Sequence, residues 1–197
     1  MRVSARSYLY VLLAAFTAAA GCAKGPPPDF YILNAATAEP IVGEEHGIAV
    51  GVGPINLPAH LNRSQIVTRA TDYQLDLSES HQWAEPLKDS ISRVVIMKLS
   101  NILQSNRVYA IPRRQKVSLD FQISIDIERL DGQLGKHAVL GARWTLYGGD
   151  TREPLLNQMT VVKETTEDGT YNAFVAAGSR ALEILSQEIA DAIEARR

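Results

Sequence analysis

The chain has 197 residues, 46% of them hydrophobic, with 20 Lys and Arg against 22 Asp and Glu for a net charge of −2. That balance offers no basic face for a nucleic-acid partner, and the single cysteine leaves no internal disulfide to form. Loss of residues 1–21, two of them arginine, would leave 176 residues with a net charge of −4, enough for one domain with a sizeable core.

Arg2 and Arg6 precede an almost wholly apolar run over residues 8–20. A short basic segment, an apolar stretch of this length and small residues after it read as a secretory signal. The run is too short to cross the hydrocarbon of a bilayer, which needs about 20 apolar residues. Ala19, Ala20 and Gly21 lead directly into Cys22. This arrangement resembles the lipobox of bacterial lipoproteins, with Ala19 where Leu is usual. The resemblance implies a diacylglyceryl group on the Cys22 thiol, cleavage before it, and acylation of the new amine, with palmitate as the expected chain. Acyl chains contribute about 0.8 kcal/mol per buried CH₂, so several of them anchor firmly. By the same resemblance Asp after the cysteine would retain the protein at the inner membrane. Ala23 stands there, so the expected location is the outer membrane, lipid-anchored and facing the periplasm. The alternative is a signal peptide cut nearby beside an incidental cysteine.

Residues 22–29 contain Pro26, Pro27 and Pro28 and form an extended tether. At about 3.1 Å per residue it holds the domain roughly 20 Å from the lipid. Residues 30–33 read as a first strand, 37–47 as a polar linker, and 48–53 as a strand followed by a turn between Pro54 and Pro58. Residues 65–69 and 73–77 pair as a hairpin. Trp83 begins a helical stretch, with Pro86 in its first turn and Leu87, Ile91, Val94, Val95 and Ile102 on one face. Asn106 is its stop. Over 117–127, six apolar residues alternate with polar ones, the mark of a strand with one buried face in an antiparallel sheet. Asp131-Gly132 makes a turn, 138–147 and 156–165 are further strands, and Asp168-Gly169 turns into a helix over 171–196. Val175, Gly178, Leu182, Leu185, Ile189 and Ile193 give that helix an apolar stripe. Arg196 and Arg197 suit its C-terminal dipole. The order implies an α+β fold: a mainly antiparallel sheet with two helices packed on one face, preceded by a lipoprotein signal peptide and a Pro-rich tether. The domain runs over 30–197.

No catalytic apparatus is visible. His46, His60, His81 and His137 show no metal-ligand spacing, and a Gly-x-Ser-x-Gly elbow is missing. Gly51-Val-Gly53 is followed by Pro54 and Pro58, with Asn56 where a dinucleotide loop needs its third glycine. Asp120, Asp126 and Glu128 lie on the wet side of the long strand and read as a solvated face. Arg107, Arg113, Arg114 and Lys116 cluster near a turn. They read as a solvated connection, or as a contact for lipid headgroups or an acidic partner. No cofactor and no metal are expected. Asn62-Arg63-Ser64 fits a glycosylation sequon, which the bacterial export signal discounts.

Four stretches together resemble one family: Phe30-Tyr-Ile-Leu33; Gly51-Val-Gly-Pro-Ile-Asn-Leu-Pro58; Leu61-Asn-Arg-Ser-Gln-Ile-Val-Thr-Arg69; and Trp83-Ala-Glu-Pro-Leu87. Their order and spacing are similar to the ABC-type transport auxiliary lipoproteins, also called PqiC-like. The strand at 140–144 and the helix at 174–193 fit as well. Asn62, Ser64 and Gln82 depart from the usual Asp, Pro and Arg. The resemblance implies a non-enzymatic role beside MCE-domain (mammalian cell entry) proteins and inner-membrane transporter components, moving phospholipid or other apolar molecules between the membranes. Candidate partner-binding residues are Pro54, Pro58, Leu61, Arg63, Arg69, Trp83 and Pro86. The bland reading is that the prolines fix turns, Trp83 fills the core, and Arg63 or Arg69 pairs with nearby acids. A homo-oligomer is a further expectation. The rival functions are a structural envelope lipoprotein, which could bind peptidoglycan, and a lipid-anchored periplasmic hydrolase.

Overall fold

The computed structural model describes residues 26–35, 40–113, 117–149 and 151–197. The signal segment and Cys22, the first part of the tether, and Arg114 and Lys116 lie outside the described residues. In chain order the elements are β1 (Asp29–Tyr31), β2 (Val50–Asn56), β3 (Gln65–Thr71), β4 (Gln74–Trp83), α1 (Leu87–Ile102), β5 (Val108–Ala110), β6 (Phe121–Gln133), β7 (His137–Gly148), β8 (Pro154–Thr165) and α2 (Tyr171–Glu194).

The α+β expectation holds, but the strands form two mixed sheets rather than one. The larger has the order β5-β2-β6-β7-β8, and the smaller β1-β4-β3. The long strands β6, β7 and β8 are antiparallel neighbours, as the alternating pattern requires. β2 is parallel to both β5 and β6, and β1 is parallel to the end of β4. Both helices pack on the five-stranded sheet and on each other. Ile123, Ile125, Ile127, Leu140, Ala142, Trp144 and Leu146 turn their side chains under those helices and are buried. The apolar stripe of α2 meets them, with Leu182, Leu185, Ile189 and Ile193 fully buried. The two helices are also joined by Lys98 Nζ, 2.5 Å from Glu183 Oε1.

Several expected boundaries move, each for a local reason. Trp83 ends β4 instead of opening a helix. Pro86 takes extended geometry, φ −52° and ψ 127°, and caps α1, its carbonyl accepting from the Asp89 and Ser90 N–H groups. The helix closes at Ile102. Asn106, read as the stop, instead accepts from the His46 N–H at 2.8 Å and donates to the Glu44 carbonyl at 2.8 Å, pinning the linker. The Asp131-Gly132 pair is not a turn: β6 runs through it to Gln133, and the reversal uses Gly135 at φ +71°. Gly132 serves the strand by close approach, since a Cβ there would sit 2.1 Å from the His137 carbonyl oxygen. Residues 117–120 precede β6 rather than belong to it. Pro54 does not bound a turn. It lies within β2, where the pairing with β6 shifts register and the absent N–H is harmless. α2 follows the Asp168-Gly169 turn as expected, with Thr170 as its N-cap. Asp168 Oδ1 accepts from the Thr170 N–H and hydroxyl, and Thr170 Oγ1 accepts from the Ala173 N–H at 3.2 Å.

Candidate functional site

The segment before β3 and the segment joining β4 to α1 meet at one end of the smaller sheet. Residues 58–63 form a tight turn, with the Leu61 and Asn62 N–H groups donating to the Pro58 carbonyl at 2.9 and 3.2 Å. Leu61 drops into the core and fixes the turn from below. The Trp83 N–H then donates to the Ser64 carbonyl at 2.7 Å, and the Ala84 N–H to the Tyr31 carbonyl at 2.8 Å. These bonds draw Asn62, Arg63 and Ser64 against residues 83–87, with Trp83, Pro86 and Leu87 among them, around a cleft of about 380 Å³. The Trp83 indole is 7% exposed and supplies the floor.

The rims differ in charge. Arg63 is exposed and, among the described residues, forms no ion pair. Glu85, which lines the same cleft, is held by Arg93, whose Nη2 lies 2.9 Å from Glu85 Oε1. The hydrogen bond from Arg93 holds the Glu85 carboxyl below its ordinary pKa against the opposing push of partial burial, with help from Ser90. Arg93 Nη2 also donates to the Leu33 carbonyl at 2.9 Å, so one guanidinium ties the β1 exit, α1 and the acidic rim together. The cleft thus presents one exposed cation and one already paired carboxylate over a largely buried tryptophan.

Of the sequence-singled residues, Arg63, Trp83 and Pro86 line this cleft, and Pro58 and Leu61 build the turn behind it. Pro54 and Arg69 lie elsewhere. Pro54 edges a separate recess of about 280 Å³ on the outer face of the larger sheet, shared with Asn56, Gln122, Ser124, Asp126, Tyr147 and Arg152. Arg69, near the far end of β3, binds Asp131 through Nη2–Oδ2 at 2.6 Å and Nε–Oδ1 at 3.3 Å. Arg129 Nε reaches the same carboxylate at 2.6 Å. Asp131 is fully buried. Burial pushes its carboxyl up, but the hydrogen bonds and charges of Arg69 and Arg129 outweigh that and hold it below the ordinary range.

The other candidate acids and bases have structural partners. Asp120 Oδ2 accepts from the Ala49 N–H at 2.7 Å, Asp126 Oδ1 from Asn56 Nδ2 at 2.7 Å, and Glu128 lies 3.3 Å from Arg143. Arg107 donates to the Gly47 carbonyl, and Arg113 lies 4.2 Å from the Tyr109 ring centre. No group of three or more His, Cys, Asp and Glu suited to a metal occurs among the described residues. Sequence reasoning missed the Glu85–Arg93 pair. It also missed a ring cluster in which His81 stacks on Tyr171 at 4.0 Å and lies 3.0 Å from the Tyr31 hydroxyl. Glu85 stood inside a quoted motif, but its partner lies eight residues on with nothing in the pattern to link them.

No curated protein matches the sequence. Among solved structures, the crystal structure of an uncharacterized protein superposes with a TM-score of 0.70 at 15% identity, covering 85% of this chain and 99% of that one. A Xanthomonas campestris protein of the DUF330 family superposes with a TM-score of 0.59 at 17% identity, covering 83% of this chain and 90% of that one. At such identities the likeness concerns the fold. A family model for the ABC-type transport auxiliary lipoprotein component matches residues 31–190, from β1 to the last turns of α2. The chain belongs to the ABC-type transport auxiliary lipoprotein family, whose members are transport-associated components of the cell envelope.

Proposed function

We propose that this protein is a non-enzymatic, lipid-anchored component of an ABC/MCE-type transport system that moves phospholipid or another apolar molecule between the inner and outer membranes. Acylated Cys22 holds it at the outer membrane, facing the periplasm, and the cleft between Arg63 and Glu85 docks an MCE-domain protein. The observation that carries this reading is the family match over residues 31–190, which spans both sheets and both helices. The physical logic agrees with it. A phospholipid cannot cross an aqueous gap unaided, because its acyl chains would be exposed to water. A partner that bridges the gap needs a fixed receiver at the far membrane, and a rigid domain on a short tether is one.

The test is crosslinked purification of the lipidated protein from native envelopes, with its partners and bound lipids identified. An MCE-domain protein, an ABC permease and phospholipid are the expected co-purifying species. Recovery of peptidoglycan fragments without transporter components would replace the proposal with a structural envelope role. A Cys22→Ser variant is expected to leave the membrane fraction and lose transport function.

A further inference from the structure

One apolar feature of the domain is held outward rather than used in packing. Phe30 is 62% exposed and Ile32 46% exposed. They alternate with Tyr31 and Leu33, which are anchored: Leu33 is fully buried, and Tyr31 meets His81 and Tyr171. The backbone between them is pinned along its length. β1 pairs with β4 from Asp29 to Tyr31, the Leu33 N–H donates to Ser90 Oγ at 3.3 Å, and the Asn34 N–H donates to Ser179 Oγ at 3.1 Å. Two large apolar side chains therefore stand on a rigid rib, not on a loose tail. Exposed apolar area of this kind costs free energy in water and favours an apolar neighbour.

The position of the rib identifies that neighbour. Eight peptide units separate Phe30 from Cys22, a reach of at most about 26–29 Å even when fully extended. Any bilayer that holds the lipid of Cys22 is thus within one short tether of the rib. The hairpin tip at Tyr73, fully exposed, lies at the opposite end of β4 from the residues that pair with β1.

We propose that Phe30 and Ile32 insert into the interfacial layer of the bilayer that anchors Cys22, so that the domain rests on the membrane in one orientation instead of swinging on its tether. The inference rests on the acylation of Cys22 and deepens the proposed function. Because the Ala84 N–H bonds the Tyr31 carbonyl, the Arg63–Glu85 cleft lies next to the rib, and a partner docked there would release an apolar cargo close to the membrane.

The experiment uses the full lipidated protein carrying F30C, I32C or Y73C. Each new thiol is labelled with an environment-sensitive nitrobenzoxadiazole, the Cys22 thiol being blocked by its lipid. The proteins are reconstituted into vesicles of phosphatidylethanolamine and phosphatidylglycerol, with and without brominated acyl chains. Labels at positions 30 and 32 are expected to shift to the blue and to be quenched by bromine at least about threefold more than the label at 73. Labels at 30 and 32 that are no more quenched than the one at 73, on protein that floats with the vesicles, would overturn the inference and leave the anchor standing. A blue shift without bromine quenching would overturn it in favour of cover by protein, such as a second copy. Protein that does not float with the vesicles would overturn the anchor and the inference together. In a Phe30→Ser, Ile32→Ser double variant that keeps its unfolding midpoint, the label at 73 is expected to lose anisotropy as the domain swings free.

Discussion

Arg63 stands just before β3 and Arg69 near its end, and the fold treats the two arginines in opposite ways. Arg69 is consumed: it closes a bidentate pair on the buried Asp131 and so bolts the three-stranded sheet to β6 of the larger one. Arg63 stands exposed at a cleft that is also lined by Glu85, a carboxylate that Arg93 already holds. Both belong to one sequence motif, yet one end of the strand is a joint and the other is a free surface. Spacing within a motif therefore says little about which of its cations is available to a partner; the buried counter-charge decides.

The sharpest way to break the joint is Asp131→Ala. It removes the buried end of two ion pairs and leaves Arg69 and Arg129, both part-exposed, to water, so the cost is the loss of charge-assisted hydrogen bonds at about 1.5–3 kcal/mol each. Urea unfolding is expected to show that loss as a lower midpoint. Arg69→Ala costs less, about 1–3 kcal/mol, because Arg129 still serves Asp131 Oδ1. The same joint sets a pH dependence. The folded Asp131 carboxyl lies below its ordinary value of 3.8, so its contribution is complete above that value and is lost as pH falls through the lower, folded one. Stability of the native protein should fall in that acid window, and an Asp131→Asn variant should show a flatter slope there. Equal slopes would mean that the joint is not what acid releases.

A change remote from both ends of β3 calibrates these effects. Thr170→Ala removes the side chain that caps α2 and should cost about 1 kcal/mol without altering partner capture. A midpoint unchanged from the native protein would show that the Ala173 N–H is satisfied by water instead.

The two ends of β3 were not equally legible. The alternation from Phe121 to Ile127 and the stripe from Val175 to Ile193 announced the large sheet and its helix, because each pattern is local and repeats. The second sheet was legible only as its β3–β4 hairpin. Its parallel pairing of β1 with β4 joins segments about fifty residues apart, and no nearby turn encodes it. Asp131-Gly132 looked like a turn by composition, but the two arginines that hold Asp131 in a strand are a tertiary fact. Trp83 lay at the point where a strand's period gives way to a helix's, and Pro86 permitted either reading. The cleft was half legible: its two segments stood out as motifs, while their meeting depends on the fold-back of the β3–β4 hairpin that brings the Trp83 N–H to the Ser64 carbonyl.

The smallest expected effect on stability is the most telling for function. Arg63→Ala removes an exposed side chain with no ion pair among the described residues, so the unfolding midpoint should move by less than about 0.5 kcal/mol. Under the proposed docking role, the same variant should capture less of the MCE-domain partner from crosslinked envelopes, and Arg63→Glu less again, since it sets a second carboxylate in a cleft that already holds Glu85. Arg69→Ala is the control in the other direction, losing stability while any protein that remains folded still captures the partner. If Arg63→Ala keeps both fold and capture, the cleft is not the docking surface. If Arg69→Ala loses capture in proportion to the fraction unfolded, and Arg63→Ala loses it with none unfolded, then the joint and the free surface are separate functions of one strand.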